Sequence, residues 1–118
     1  MVNAMESFLV CFYILDHCYF IDYEDDLGGI LGAMSPDLML DGLPIDKAFL
    51  DDWRKLDKQQ PNSNAEILKK VDSFLDYYEK QYDFSFTETR KLLRSDRLLN
   101  FVDTAKIRAR ETCKKYDY

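Results

Sequence analysis

The stretch SNAEILKKVDSFLDYYEKQY, residues 63–82, decides the fold of this chain. Its apolar side chains recur at intervals of three and four, which places them on one face of an α-helix. They are Ile67, Leu68, Val71, Phe74, Leu75, Tyr78 and Tyr82. Ser63 and Glu66 precede them at the spacing of a capping box, a start signal for helices. The pattern predicts one long amphipathic helix that must bury its apolar face against other elements.

A second apolar run lies near the N-terminus and predicts a helix over residues 5–20. The side chains with helical spacing are Phe8, Cys11, Phe12, Leu15 and Tyr19. A buried strand is the alternative, because the run is also rich in strand-forming residues, but its spacing and length favour a helix. Asp16 and His17 interrupt the run and no Lys or Arg precedes it, so we expect neither a signal peptide nor a membrane span.

Further start signals divide the middle of the chain. Asp25 and Asp26 suit the positive N-terminal end of a short helix over residues 25–33. The triplet Ser35-Pro36-Asp37 suits the start of another turn, which Asp41-Gly42 and Pro44 would end. Residues 58–62 form the one polar, linker-like stretch.

The remaining helices are predicted in the same way. Asp46 can cap a helix that carries Phe49, Trp53 and Leu56 on one face, where the default position of Trp53 is the core and the alternative is a binding anchor. Ser85 and Glu88 have the spacing of a second capping box. A final long helix, separate from or continuous with the preceding one, carries Leu98, Val102, Ala105, Ala109, Cys113 and Tyr116.

These patterns together predict an all-α fold. No segment alternates with a period of two for long, and 118 residues at 14.0 kDa suit one core. We therefore expect residues 1–118 to form a single helical domain, a bundle of about five to seven helices.

Charge is distributed unevenly along the chain. Residues 1–57 contain twelve acids and three bases, whereas residues 58–118 contain ten acids and thirteen bases, within a net charge of −6. An acidic first half disfavours nucleic acid and anionic membranes as partners and favours a basic protein. The odd set of Cys11, Cys18 and Cys113 indicates reduced, buried thiols and a cytoplasmic location.

Residues 22–42 concentrate the unusual features. They hold all four glycines of the chain and six carboxylates but no lysine or arginine. Gly28 and Gly32 are four residues apart, so on a helix they would share a face and allow another backbone to approach. A segment that combines special backbone geometry with charge of one sign is typical of a binding surface.

Calcium binding is not expected in this segment. Asp22, Glu24 and Asp26 have the spacing of the first three ligands of an EF-hand loop. Leu27, however, takes the place of the glycine that the loop requires, and Ala33 takes the place of the bidentate glutamate. The glycines also do not form a phosphate loop, since the Gly-Lys-Ser/Thr ending is missing and the neighbouring charge is negative.

Catalysis and metal binding are not expected either. The chain has one histidine, His17, which could meet only a distant cysteine such as Cys113 in a Cys–His site. The pairs Asp25/Asp26 and Asp51/Asp52 suit solvated surface and helix capping better than acid–base chemistry. Bases of the C-terminal half are interleaved with acids, which is typical of a solvated helix face rather than of a nucleic-acid site. We predict a protein that is not an enzyme and has no cofactor.

A family resemblance covers residues 16–53. Tyr19, the run DDLGGILGAMSP at residues 25–36, DGLP at residues 41–44 and Asp52-Trp53 resemble the small acidic bacterial immunity proteins of polymorphic toxin systems, including contact-dependent growth inhibition. The resemblance implies a cytoplasmic antitoxin that binds a cognate toxin, commonly a nuclease, and blocks its active site or substrate path.

The contact residues are predicted from charge and expected exposure, and the resemblance does not identify them. An acidic surface steers a basic partner and supplies acceptors to its Arg and Lys side chains, while Tyr23 serves as an aromatic anchor. The predicted partner-binding residues are Asp22, Tyr23, Glu24, Asp25, Asp26, Asp37, Asp41, Asp46, Asp51 and Asp52. The alternative function is a helical adaptor or regulatory module that forms a homodimer through the Gly28/Gly32 face.

Overall fold

The computed structural model describes residues 4–36, 47–56 and 63–116, and these ranges form six helices and no strand. The helices are α1 (Ala4–Asp22), α2 (Asp25–Met34), α3 (Lys47–Lys55), α4 (Asn64–Gln81), α5 (Thr87–Leu92) and α6 (Asp96–Tyr116). The all-α fold class and the expected number of helices are confirmed. Ser35, the predicted cap of the next turn, is the C-cap residue of α2. The rest of that turn from Asp37 onward, the 41–44 loop, the Asp46 cap and the 58–62 linker lie outside the described residues.

Helix α1 is the central element of the core. It packs most extensively against α6 and also contacts α2, α3 and α5. Phe8, Leu9, Ile14 and Leu15 are fully buried, so the predicted helix over residues 5–20 is confirmed with slightly wider bounds. By length and composition α1 could also cross a membrane, a property that core helices of soluble proteins and signal sequences share.

Helix α4 forms as its pattern predicts. The Ser63 hydroxyl accepts a hydrogen bond from the Glu66 backbone N–H at 3.2 Å, which satisfies one of the donors that a helix start leaves open. Val71, Phe74 and Leu75 are fully buried on its apolar face. Local sequence therefore determines both the start of α4 and the side that it buries.

The start of α5 differs from the prediction. Phe86 is the N-cap residue and forms no side-chain cap, so the predicted Ser85/Glu88 capping box is wrong. The Ser85 backbone N–H donates instead to Asp26 Oδ2 of α2 at 2.8 Å. Helices α5 and α6 are separate, because Ser95 Oγ donates to the Leu92 carbonyl at 2.6 Å and accepts from the Leu98 N–H at 3.4 Å.

Trp53 packs α3 against the core, so the predicted core position of this side chain is confirmed. The side chain is 1% exposed, and its Nε1–H donates to Ser7 Oγ of α1 at 3.0 Å. The ring of Phe74 meets it edge-on, and Lys70 Nζ lies 3.9 Å from the indole centroid. The cation–π contact lets a lysine of α4 end on an aromatic face inside the protein.

The burial of Lys70 predicts a pH dependence of stability. Burial lowers the pKa of Lys70 from 10.5 to about 8, although the nearby Cys11 acts in the opposite direction. Between these two pH values the unfolded chain binds more protons than the folded protein, so the free energy of unfolding gains from Lys70 as the pH rises. We expect the stability of the wild type relative to Lys70→Met to rise from pH 8 to 10.5 and to be constant at lower pH.

Urea unfolding of the two proteins across this range measures the effect. The difference between them is needed because burial raises the pKa of the Cys11 and Cys18 thiols above 9.0, which lowers the stability of both proteins at alkaline pH. A difference that stays constant over the whole range would show that Lys70 is as well solvated as in the unfolded chain.

The three cysteines are free and buried, as predicted. Burial raises the pKa of each thiol, so all three are poor nucleophiles at neutral pH. Their role in the described structure is to pack the core.

Candidate functional site

The α1–α2 corner, residues 22–24, is the most unusual backbone feature of the described chain. Tyr23 has a φ of 53° and is the one non-glycine residue with positive φ in the described ranges. Its N–H donates to the Tyr19 carbonyl at 2.9 Å, and the Glu24 N–H donates to Asp22 Oδ1 at 3.0 Å. The left-handed conformation is unfavourable for a tyrosine, so surrounding interactions must hold the corner in place.

Thr89 of α5 supplies those interactions from below the corner. Its hydroxyl lies 2.9 Å from Asp22 Oδ2 and 2.8 Å from Glu24 Oε1, and its single proton is shared between the two carboxylates. Its backbone N–H also donates to Glu24 Oε1 at 2.6 Å. Thr89 is fully buried, so the corner rests on a fixed support.

Acidic side chains from other helices satisfy the start of α5. Asp26 accepts from the Ser85 N–H at 2.8 Å, and Glu79 accepts from the Phe86 N–H at 2.7 Å. Together with Glu24, they replace the local cap that Phe86 lacks. Three of the carboxylates predicted to bind a partner, Asp22, Glu24 and Asp26, therefore bond to residues 85–89 within the chain.

Two residues of the predicted site point outward at the corner. The Tyr23 side chain is 65% exposed, and Asp25 is exposed in the first turn of α2. The Tyr23 ring meets the Tyr19 ring edge-on, with centroids 5.8 Å apart at 69°. The corner thus presents an aromatic side chain beside a carboxylate.

Gly28 supports this arrangement and explains part of the glycine pattern. A Cβ at Gly28 would lie 2.8 Å from the Tyr19 ring, so the ring can rest on α2 only because the side chain is absent. The close neighbour is therefore a ring, where the sequence analysis expects a backbone. Gly32 and Gly29 have open space around their Cβ positions.

The other predicted contact residues lie elsewhere or outside the description. Asp51 and Asp52 are half-buried on α3, and Asp52 Oδ2 accepts from the Tyr78 hydroxyl at 2.5 Å. Asp37, Asp41 and Asp46 lie outside the described residues.

Arg90 on α5 organises the acids of α4. Its guanidinium binds Asp72 through two bonds, of 2.8 Å from Nε and 3.1 Å from Nη2, and reaches Glu79 at 2.6 Å and Asp76 at 3.2 Å. These hydrogen bonds raise the pKa of Arg90, so it stays charged. The bases of the C-terminal half were expected on a solvated helix face, but Arg90, which is one of them, ties α5 to α4 in the structure.

The structure does not bring His17 to a cysteine. Its ring stacks on Phe101 with centroids 3.9 Å apart. Cys113 lies twelve residues further along α6, roughly 18 Å away along the helix axis. Among the described residues, no group of three or more His, Cys, Asp or Glu side chains could hold a metal ion.

An aromatic pocket is the feature that the sequence analysis missed. It has a volume of about 210 Å³. Its lining residues are Ala48, Phe49, Asp52, Tyr78, Tyr82 and Phe84. The density of aromatic residues over positions 77–86 is the sequence signal, but the pairing with α3 depends on the tertiary fold.

Comparison with family models, with curated proteins and with solved structures finds no match for this chain. The resemblance to immunity proteins stays a prediction.

Proposed function

We propose that this chain is a cytoplasmic immunity protein that binds and neutralises a cognate basic toxin, commonly a nuclease, without catalysis of its own. The observation that carries the proposal is the α1–α2 corner. Hydrogen bonds from the buried Thr89 to Asp22 and Glu24 hold the exposed Tyr23 between them in an unfavourable backbone conformation, and such strain is more often kept at binding sites than elsewhere.

The charge around the corner suits a basic partner. Residues 4–36 contain six acids and no lysine or arginine. Asp25 can accept from an Arg or Lys of the partner, whereas Tyr23 supplies a large, rigid apolar contact with a polar tip. Because the corner is fixed before binding, little conformational entropy is lost when a partner docks.

The division of the acids sharpens the proposal. Asp22, Glu24 and Asp26 hold the corner and α5 in position, so their effect on binding passes through the fold. Tyr23 and Asp25 are left for direct contact, since both are exposed. Neutralisation then consists of occupying the cationic surface of the toxin that its polyanionic substrate needs.

A co-expression experiment tests the proposal. The toxin is to be sought among the products of the genes next to the one that encodes this protein. Cells that express it together with this protein are expected to survive, and cells in which this protein carries Tyr23→Asn plus Asp25→Lys are expected to die. Asparagine tolerates the left-handed conformation, so the double variant removes the ring and the charge but keeps the corner. Loss of an aromatic anchor alone is expected to weaken toxin binding about 30-fold or more.

The control is Tyr77→Ala, which removes an exposed tyrosine of α4 and is expected to protect cells fully. Circular dichroism should show unchanged helicity for all variants. Full protection by the corner variant would remove the corner from the proposal, and failure of the wild type to protect would remove the function. The alternative homodimer is tested on the same samples, since light scattering would then give the mass of a stable dimer.

A further inference from the structure

The aromatic pocket has the composition of a site for an organic cation. Four of its six lining side chains are aromatic, and a fifth is the carboxylate of Asp52. Aromatic faces carry negative electrostatic potential, which attracts Lys, Arg and alkylammonium groups at close range. The negative charge of a carboxylate among the rings also attracts cations.

Three separate elements hold the rings. Tyr78 lies in the last turn of α4 and Tyr82 is its C-cap residue, and their ring centroids are 5.8 Å apart with planes at 21°. Phe49 of α3 lies 5.1 Å from Tyr78, and Phe84 of the following loop lies 5.9 Å from Tyr82. The pocket is open to solvent at Tyr82, whose side chain is 55% exposed.

A fixed hydrogen bond keeps the carboxylate in the pocket wall. Asp52 Oδ2 accepts from the Tyr78 hydroxyl at 2.5 Å, and burial together with this bond raises the pKa of Tyr78, so the phenol keeps its proton. The structure already places one cation at the other oxygen, since Lys55 Nζ lies 3.8 Å from Asp52 Oδ1. The Lys55 side chain is 77% exposed, so an incoming cation can displace it.

The size of the pocket selects the occupant. A volume of about 210 Å³ is below the range of about 300–1,000 Å³ that is typical of small-molecule sites. It suits one side chain inserted from a protein partner. Among the cationic side chains, the planar guanidinium of arginine can stack on a ring and bond to a carboxylate at once.

From this geometry we infer that the aromatic pocket binds an arginine side chain of a protein partner. The pocket and the start of α2 both contact the segment 82–86, because Phe84 lines the pocket and the Ser85 N–H bonds to Asp26 of α2. If the proposed function holds, the arginine belongs to the toxin. The inference itself requires only a basic protein partner.

The test uses a blocked arginine, N-acetyl-arginine methylamide, as the probe and blocked citrulline as its neutral isostere. We expect blocked arginine to change the NMR chemical shifts of Ala48, Tyr82 and Phe84 in a saturable way, with a dissociation constant in the millimolar range. Citrulline keeps the shape but has no charge, so it is expected to bind about tenfold more weakly or worse. Because no toxin is present, this result is independent of the co-expression experiment.

Variants locate the site. Tyr82→Ala is expected to weaken the binding of blocked arginine about two- to fivefold, and Asp52→Asn to weaken it further, whereas Lys55→Ala should strengthen it. Tyr77→Ala is the matched control, since Tyr77 is an exposed tyrosine of the same helix that does not line the pocket. Equal binding of citrulline, or shifts that Tyr82→Ala leaves unchanged, would overturn the inference. Tyr82 is exposed, so its variant should fold even if Asp52→Asn does not.

Discussion

Replacement of Trp53 by alanine is expected to lower the free energy of unfolding by about 3–5 kcal/mol. The indole is 1% exposed and packs against Phe74 and Lys70, so its removal leaves a cavity where α1, α3 and α4 meet. It also removes the acceptor face for the Lys70 ammonium and the hydrogen bond to Ser7. Domains of this size are stable by about 5–15 kcal/mol, so this one change consumes a large share of the total.

Urea unfolding followed by far-UV circular dichroism measures the loss, since the variant has no tryptophan for fluorescence. Trp53→Phe is the control, because it keeps an aromatic ring and loses mainly volume and the Nε1–H donor; we expect about 1–2 kcal/mol. A cost below about 1 kcal/mol for Trp53→Ala would mean that α3 does not contribute to the cooperative core.

Replacement of Arg90 by alanine is expected to lower the free energy of unfolding by about 2–3 kcal/mol. The change leaves Asp72, Asp76 and Glu79 close together without the shared guanidinium. Breaking a fully buried ion pair costs about 3–5 kcal/mol, but these carboxylates keep between 23% and 33% of their side-chain exposure, which reduces the penalty. Arg90→Lys keeps the charge and cannot form the two-bond contact with Asp72, so it should recover less than half of the loss.

The Arg90 effect has a predictable pH dependence. Lys80 and Arg90 lower the pKa of Asp76 below 3.8, so this carboxylate stabilises the folded protein above that pH and ceases to do so as the pH falls through its lowered value. The gap between the wild type and Arg90→Ala should therefore narrow in acid. Arg94→Ala is the control, since Arg94 is 66% exposed and 3.8 Å from Asp72. A cost for Arg94→Ala equal to that of Arg90→Ala would argue against the cluster.

The parts of the fold that local sequence controls could be predicted. Residues 63–82 carry their cap, their period and their apolar face within one stretch, and α4 begins at Asn64 with the Ser63 cap in place. Trp53 could be assigned to the core because it shares a helical face with Phe49 and Leu56. Both arguments need only neighbours within a few turns.

The start of α5 could not be predicted because its partners are distant in sequence. Asp26 bonds to a residue 59 positions away and Glu24 to a residue 65 positions away. The sequence by itself offered Ser85 and Glu88 as an equally good local cap. The same distance explains why the site prediction could not separate Asp22, Glu24 and Asp26 from Asp25. Composition identified the acids of residues 22–26, and only the positions of Ser85 and Thr89 in the fold distinguish those that bond within the chain.

The aromatic pocket could not be predicted from the sequence for a similar reason. Tyr78 and Tyr82 were assigned to one apolar face of α4, where a tyrosine is by default a core residue. Whether such a ring is covered depends on where α3 and the loop at Phe84 lie. In the structure Tyr78 is buried and Tyr82 is left at the rim.

The caps of α5 have a consequence for the order of folding. The six residues of α5 are far fewer than the roughly 12–15 that an isolated helix needs in water. At its start, the N–H groups of Ser85, Phe86 and Thr89 donate to acceptors on α2, α4 and the α1–α2 corner. Helix α5 can therefore form only after those distant elements have assembled around it. Glu24 and Asp26 thus provide acceptors for the start of a helix that lies about 60 residues later in the chain.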